Sequence, residues 1–332
     1  MADNYSLPVD EVEFPRISAG RVTKHDNNLK LVPTKDVVFL LGESCCGQKK
    51  DGPQVAPGMI ITDKYLATIQ ELGWTPSIVR CPQIFRATPP EIETHLHSPF
   101  SVAATVDRVA DEVEKVHKEG KFPMLVGGDH CLALGSVLGS SRRYPNLRVI
   151  WFDAHADINT PDTSPSGNMH GMPLAGLLGL MKPPGFEDGR YVCVTPDRLG
   201  YIGLRDVDAG ERVILKDMGV DIAFDMDDLQ KSGITELTHR ILQKINPNNE
   251  FPIHLSFDVD GMDPMDAPST GTPVCRGVRL HEAMDMIKII RDTGCLVSMD
   301  CVEVNPSLGT HNEVALTIAN ARVVMANALS NA

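Results

Sequence analysis

Val149-Ile150-Trp151-Phe152-Asp153-Ala154-His155-Ala156-Asp157 decides the fold. An uninterrupted apolar run stops at alternating carboxylates and an imidazole. Such a short run fits a strand buried on both faces, as in a parallel sheet. The unit recurs. Phe122-Pro123-Met124-Leu125-Val126 leads into Gly127-Gly128-Asp129-His130, and Ile253-His254-Leu255-Ser256-Phe257 into Asp258-Val259-Asp260. Cys295-Leu296-Val297-Ser298-Met299 runs towards Glu303-Val304-Asn305. Val37–Leu41, Tyr201–Leu204 and Asp221–Phe224 read as further strands. Helical stretches lie between them, near 101–118, 131–141, 209–219, 233–245, 281–293 and 311–329. In the first of these, Val102, Val106, Val109, Val113 and Val116 share one face. This alternation predicts an α/β fold with three layers, α/β/α, around a central, mainly parallel sheet. Residues 1–34 are polar and read as an irregular N-terminal extension. Residues 35–332 read as a single domain, because no linker or repeat divides them.

Ligands of open parallel sheets sit beyond the carboxyl ends of the strands, where these polar clusters fall. Asp153, His155 and Asp157 stand at i, i+2 and i+4, so an extended segment would point them to one side. Asp258 and Asp260 repeat the device. Bare charge at a buried strand end is costly, and a divalent cation would neutralise it. With His130 the set holds two imidazoles, four carboxylates and no thiolate, too many for one tetrahedral zinc. The mixture suits Mn²⁺, with Fe or Co as substitutes. Bridging carboxylates would let the six residues hold two ions roughly 3.5–4 Å apart. One Asp-x-Asp after a strand is ordinary turn chemistry, whereas three clusters on separate strands are not. Cys131 beside His130 reads as a small apolar group at a helix start.

Composition narrows the function. The 332 residues hold 31 Lys+Arg and 44 Asp+Glu, a net charge of −13, which opposes nonspecific nucleic-acid binding. No apolar run approaches the ~20 residues of a membrane span. The eight cysteines are scattered and form no Cys-x-x-Cys pair, as expected of reduced thiols. Asp3, Asp10, Glu11 and Glu13 oppose a transit peptide, so a cytoplasmic location is expected.

Gly127-Gly128-Asp129-His130, Asp153-Ala154-His155-Ala156-Asp157 and Ser256-Phe257-Asp258-Val259-Asp260-Gly261-Met262-Asp263-Pro264 resemble the three signatures of the ureohydrolase family. The resemblance runs from about residue 120 to 325 and is to the arginase branch. Asp157-Ile158-Asn159-Thr160-Pro161 with Ser166-Gly167-Asn168-Met169-His170-Gly171 looks like the arginase substrate loop, which agmatinases lack. Tyr201–Asp208, Thr270–Pro273 and Glu303–Gly309 are similar to arginase segments too.

The resemblance implies hydrolysis of L-arginine to L-ornithine and urea with two Mn²⁺ per chain. One ion would be held by His130, Asp153, Asp157 and Asp258, the other by Asp153, His155, Asp258 and Asp260. Asp157 would pass a proton, His170 would shuttle one, and Glu303 would pair with the guanidinium, helped by Thr272. Asn159 and Ser166 would read the α-carboxylate and Asp208 the α-ammonium. A homotrimer is implied as well, formed through helix faces, since the chain stops at Ala332 just after the last expected helix. The other readings are an arginase-like protein without turnover, and a ureohydrolase for another guanidino substrate such as agmatine.

Gly42-Glu43-Ser44-Cys45-Cys46-Gly47-Gln48-Lys49 misses a phosphate-binding loop at both diagnostic positions. It also departs from the arginase turn, although Gly47-Gln48 and Gly52-Pro53 match. It is expected to shape the pocket rim. His95-x-His97 reads as solvated, and His117 and His254 have no partner motif.

Overall fold

The computed structural model describes residues 29–220 and 223–330. Among them run strands β1 (Asp36–Glu43), β2 (Thr75–Pro82), β3 (Phe122–Gly127), β4 (Arg148–Phe152), β5 (Leu199–Leu204), β6 (Ala223–Asp225), β7 (Ile253–Asp258) and β8 (Leu296–Val302). The helices are α1 (Ala56–Ile60), α2 (Asp63–Glu71), α3 (Pro99–Lys118), α4 (Leu132–Arg143), α5 (Pro173–Leu177), α6 (Ala209–Asp217), α7 (Met226–Ile245), α8 (Leu280–Asp292) and α9 (His311–Leu329). The strands form one sheet in the order β2-β1-β3-β8-β7-β4-β5-β6. Every pair in it is parallel.

The expected three layers follow from strands that are apolar on both sides. In β1, Val37, Phe39 and Leu41 join the main core, where Phe39 meets Tyr65 of α2 edge-on. Val38 and Leu40 face the other way, onto Val109 and Val113 of α3. Helices α3 and α4 pack together on that second face. Helix α9 packs against α1, α2 and α8 across the first. Helix starts are fixed by local chemistry: Thr310 and Glu313 form a capping box at α9.

Order, more than any one element, places the site. The chain leaves β3 and resumes at β4, across a gap that β8 and β7 later fill. The neighbours β3, β8, β7 and β4 therefore bring four polar clusters to one rim, at the switch point of the sheet.

Some elements differ from expectation. β2 and the α1–α2 pair were not foreseen. β2 is a largely exposed edge strand that contains Pro76, so it shows no continuous apolar run. The strand expected at 221–224 is seen at Ala223–Asp225, with 221–222 outside the described residues. Helix α7 begins seven residues before the expected 233, at a polar turn capped by Asp225, and is broken at Gly233 (φ 77°). Residues 1–28 of the expected extension lie outside the described residues. Leu29 and Val32 are buried, and the Lys30 N–H donates to Gly294 O at 2.8 Å. No described helix is long and apolar enough to cross a membrane.

Candidate metal centre and cleft

His130 follows β3, Asp153, His155 and Asp157 follow β4, and Asp258 and Asp260 close β7. The structure brings all six together. His130 Nδ1 lies 3.1 Å from Asp153 Oδ2, 2.9 Å from Asp157 Oδ2 and 3.1 Å from Asp258 Oδ2. His155 Nδ1 lies 3.3 Å from Asp153 Oδ1 and 3.2 Å from Asp260 Oδ2. Two groups with metal-ligand spacing result, His130–Asp153–Asp258 and Asp153–His155–Asp260, and they share Asp153.

The route to this convergence differs from the expected extended alternation. Asp153 accepts the His155 N–H at 2.7 Å, and Asp258 accepts the Asp260 N–H at 2.8 Å. Both are Asx turns, in which the first carboxylate folds the chain two residues on. Asp157 is reached through a left-handed backbone, φ 51°, sparsely populated for a non-glycine residue. Turns, not a pleat, aim these side chains.

The floor's electrostatics fit a cation. His130 Nδ1 is buried and has no hydrogen-bond partner, although three carboxylates surround it. Burial alone would lower the His130 pKa, but Asp153, Asp157 and Asp258 hold it well above its usual value. Burial and the charge of Asp153 push Asp157 up to about 7. Burial, Asp260 and Asp153 raise Asp258 well above the carboxylate range. Burial would also raise Asp153, but the neighbouring imidazoles of His130 and His155 hold it well below that range. Positive charge is demanded here, and protons supply it where metal does not.

The surroundings lock the ligand set. Trp151 stacks on His130 at 4.3 Å and donates to Asp153 Oδ2 at 3.1 Å. Arg205 donates to the carbonyls of Gly203, Asp260, Gly261, Met262 and Val274, tying β5 to the turn after β7. Thr272, expected near the guanidinium, donates to Asp260 Oδ2 at 2.9 Å.

A cleft of about 260 Å³ opens above this floor. Of the residues expected at the site, His155, Asp157, Asn159, Ser166, His170, Asp208, Thr272, Asp258 and Asp260 line it, and Glu303 lies buried behind His170. On one wall His170 Nδ1 meets Glu303 Oε1 at 2.9 Å. Burial would lower the His170 pKa, but the Glu303 carboxylate raises it to about 9. Glu303 is itself buried, at φ 65°, and also accepts from the His130 N–H at 2.8 Å. Gln48 Nε2 donates to both Glu303 oxygens, at 3.1 and 2.9 Å. Glu303 thus orients His170 and ties it to the His130 backbone and to Gln48.

On the other wall, Asn159 Nδ2 donates to Asp208 Oδ2 at 2.8 Å, and Thr163 Oγ1 donates to Asn159 Oδ1 at 2.9 Å. The expected carboxylate reader and ammonium reader are therefore joined. Ser166 is exposed at the rim, where its Oγ accepts the Asn168 N–H at 3.2 Å.

Several contributors were missed. Glu211 is buried, accepts the Ile158 N–H at 3.1 Å and the Asp208 N–H at 2.9 Å, and is pushed up to about 7 by burial. Its signal was present as Asp208-x-x-Glu211, a capping-box spacing. Asp129 accepts the Gly47 N–H at 2.7 Å, docking the departing loop onto the site. Asn168 lines the cleft with a buried, unpartnered Oδ1. Asp206 lines it too, a rim carboxylate with no local signal.

The family model described as "Arginase family" matches residues 36–329. The arginase of Glaciozyma antarctica is 41% identical over 291 residues, 85% of this chain and 84% of that protein. Arginase-1 of Homo sapiens is 44% identical over 232 residues, 68% of this chain and 71% of that protein. The crystal structure of Entamoeba histolytica arginase in complex with L-ornithine superposes with a TM-score of 0.79 at 30% identity, covering 91% of this chain and all (100%) of that one.

Proposed function

The chain belongs to the arginase family, and we propose that it hydrolyses L-arginine to L-ornithine and urea with two Mn²⁺ ions per chain. The observation that carries this reading is the pair of ligand groups sharing Asp153, beneath a cleft lined by His170, to which the buried Glu303 bonds. His130, Asp153, Asp157 and Asp258 would hold one ion, and Asp153, His155, Asp258 and Asp260 the other. Bound there, the two ions would supply the Lewis acidity that makes hydroxide available near neutral pH.

This chain's residues do the rest. Glu303 draws the guanidinium down, and its Oε2, with one hydrogen bond from Gln48, keeps a lone pair for it. Hydroxide adds to the guanidinium carbon, and Asp157 takes the adduct's hydroxyl proton and passes it to the ornithine-side nitrogen, so that Asp157 is again a carboxylate. The carbon–nitrogen bond to the ornithine side then breaks and urea forms. His170, held protonated by Glu303, gives its proton to that departing amine. Asn159 and Ser166 meet the α-carboxylate, and Asp208 the α-ammonium.

Urea release from Mn²⁺-loaded protein tests the reading, with arginine and agmatine offered separately. Turnover of arginine with little of agmatine is expected. Turnover of agmatine alone would assign a different ureohydrolase activity. No urea from either substrate, with metal bound, would mean a binding protein.

A further inference from the structure

Behind His130 lies a stripe of buried polar side chains where a helix–sheet interface is normally apolar. Ser256 and Asp300 are cross-strand partners in the β7–β8 ladder, as are His254 and Ser298. Period-2 alternation puts His254 and Ser256 on the same face of β7 as Asp258. Ser136 and Ser140 of α4 meet them. All six are buried, and so is His130. Apart from Asp300 Oδ1, which has no hydrogen-bond partner, the polar side-chain atoms of these six are paired, and their partners impose a direction.

The direction starts at Asp300. Its Oδ2 lies 2.8 Å from Ser136 Oγ, 3.2 Å from Ser256 Oγ and 2.8 Å from His254 Nε2. A carboxylate only accepts, so Ser256 must give it its single hydroxyl proton. Ser256 Oγ is also 2.9 Å from His130 Nε2, and with its proton committed it can only accept there. His130 therefore carries its proton on Nε2. Nδ1, which faces Asp153, Asp157 and Asp258, is then the nitrogen whose proton a metal ion displaces.

We propose that Asp300 is a positioning residue for the metal centre, acting through Ser256 to hold His130 in the one tautomer that can ligate through Nδ1. The carboxylate does not touch the ligand set. It sets the proton on the far side of the ring, as partners beyond the first ligands of a metal commonly do. The inference rests on the two-ion reading above and adds a residue to it.

Mn²⁺ titration of metal-free protein against a competing chelator tests it, with three variants. Ser256→Ala and Asp300→Asn both remove the enforced direction, since an amide can donate as well as accept. Each is expected to weaken one of the two ions by roughly ten- to a hundredfold and to spare the other. Ser298→Ala is the matched control. It deletes a hydroxyl from the same stripe, on His254 rather than on the Ser256 relay, and should bind Mn²⁺ like the unaltered protein. Thermal melting confirms that each variant is folded, and if Ser256→Ala is not, Asp300→Asn decides. An equal loss of affinity in Ser298→Ala would reduce the stripe to a structural interlock and overturn the proposal. Undiminished binding in Asp300→Asn would overturn it as well. Failure of the unaltered protein to take up Mn²⁺ would instead defeat the metal reading itself.

Discussion

The floor of the cleft and its rim contrast in nearly every physical respect. The floor is buried: His130, Asp153, Asp258 and Asp260 are each 2% exposed or less. Its side chains are fixed by a stacked indole, two Asx turns and a relay into the sheet. The rim holds Ser166, Asp206, Asp208 and Lys49, all exposed, on loops that touch one another through single hydrogen bonds. In the proposed reaction the floor would see only what every guanidino substrate shares, and the rim would have to tell one such substrate from another. Strong, buried, mutually dependent groups would then perform the common chemistry, and weak, separable ones would set selectivity.

Asp153 tests the floor most severely, because both ligand groups contain it. Asp153→Asn is expected to abolish retention of both ions and, with them, all urea release. Metal analysis after gel filtration in Mn²⁺-free buffer would show it. Retention of one full equivalent would mean that the two groups are independent, and that the floor is less cooperative than its geometry implies.

His170 stands between floor and rim. His170→Ala should lower turnover by ~10²–10⁴-fold while leaving Mn²⁺ content unchanged, as for loss of a general acid. The pH dependence has a definite sign. Glu303 raises the folded-state pKa of His170 to about 9 from an ordinary 6.5. The pair's stabilisation is then fully present below about 6.5 and lost as pH rises through about 9. Turnover should fall on the same alkaline limb. Glu303→Gln removes the charge that holds the proton, so the limb should move down towards neutrality. A limb that stays in place would assign the alkaline loss to another group.

The two regions also differ in how far the sequence revealed them. All six floor residues follow apolar runs, and buried parallel strands announce themselves that way. Their chain order conceals that β3, β8, β7 and β4 are neighbours, but the rule that ligands sit at strand ends supplied it. The reason given for the spacing was wrong in detail. Asp-x-His and Asp-x-Asp are turn signals, and the left-handed φ of Asp157 has only a weak residue-type signal, Asp adopting it more readily than most residues. Rim contributors such as Asp206 are loop residues whose position depends on tertiary contacts. The same holds for the buried stripe behind His130. His254 carried no motif, because its partners Asp300 and Ser298 lie on another strand. β2 was missed for the opposite reason, as an edge strand without a buried pattern.

On the rim, Asn159 separates two roles that the structure joins. Its Nδ2 already donates to Asp208 at 2.8 Å, and the amide retains a second N–H for a carboxylate. Asn159→Ala is expected to lower kcat/KM for arginine by about tenfold, the scale of a hydrogen bond to a charged group, and to leave agmatine nearly untouched. An equal loss on both substrates would show that Asn159 serves only to place Asp208 and the loop.

Lys49 should show the smallest effect, and it bears most directly on the loop that departs from the arginase pattern. Gly47 and Gln48 are anchored, Gly47 O accepting the His170 N–H at 3.1 Å and Gln48 reaching Glu303. The chain then emerges with Lys49 Nζ donating to Ser166 O at 3.4 Å and Lys50 Nζ donating to Gly271 O at 2.6 Å. These two ammonium groups reach Ser166 and the residue before Thr272, and Ser166 and Thr272 line the cleft together with the carboxylates Asp206, Asp208 and Glu211 that lie outside the ligand set. So acidic a cleft favours the guanidinium and opposes the α-carboxylate, and Lys49 sits on the side where that carboxylate would lie. An exposed charge contributes little and is screened by salt. Lys49→Met should therefore reduce kcat/KM for arginine by roughly two- to fivefold at low ionic strength, through KM, with the deficit closing as salt is added. Agmatine lacks the carboxylate and should bind the variant no worse. A deficit that persists at high salt, or that falls equally on agmatine, would show that Lys49 acts by bracing Ser166 rather than by its charge.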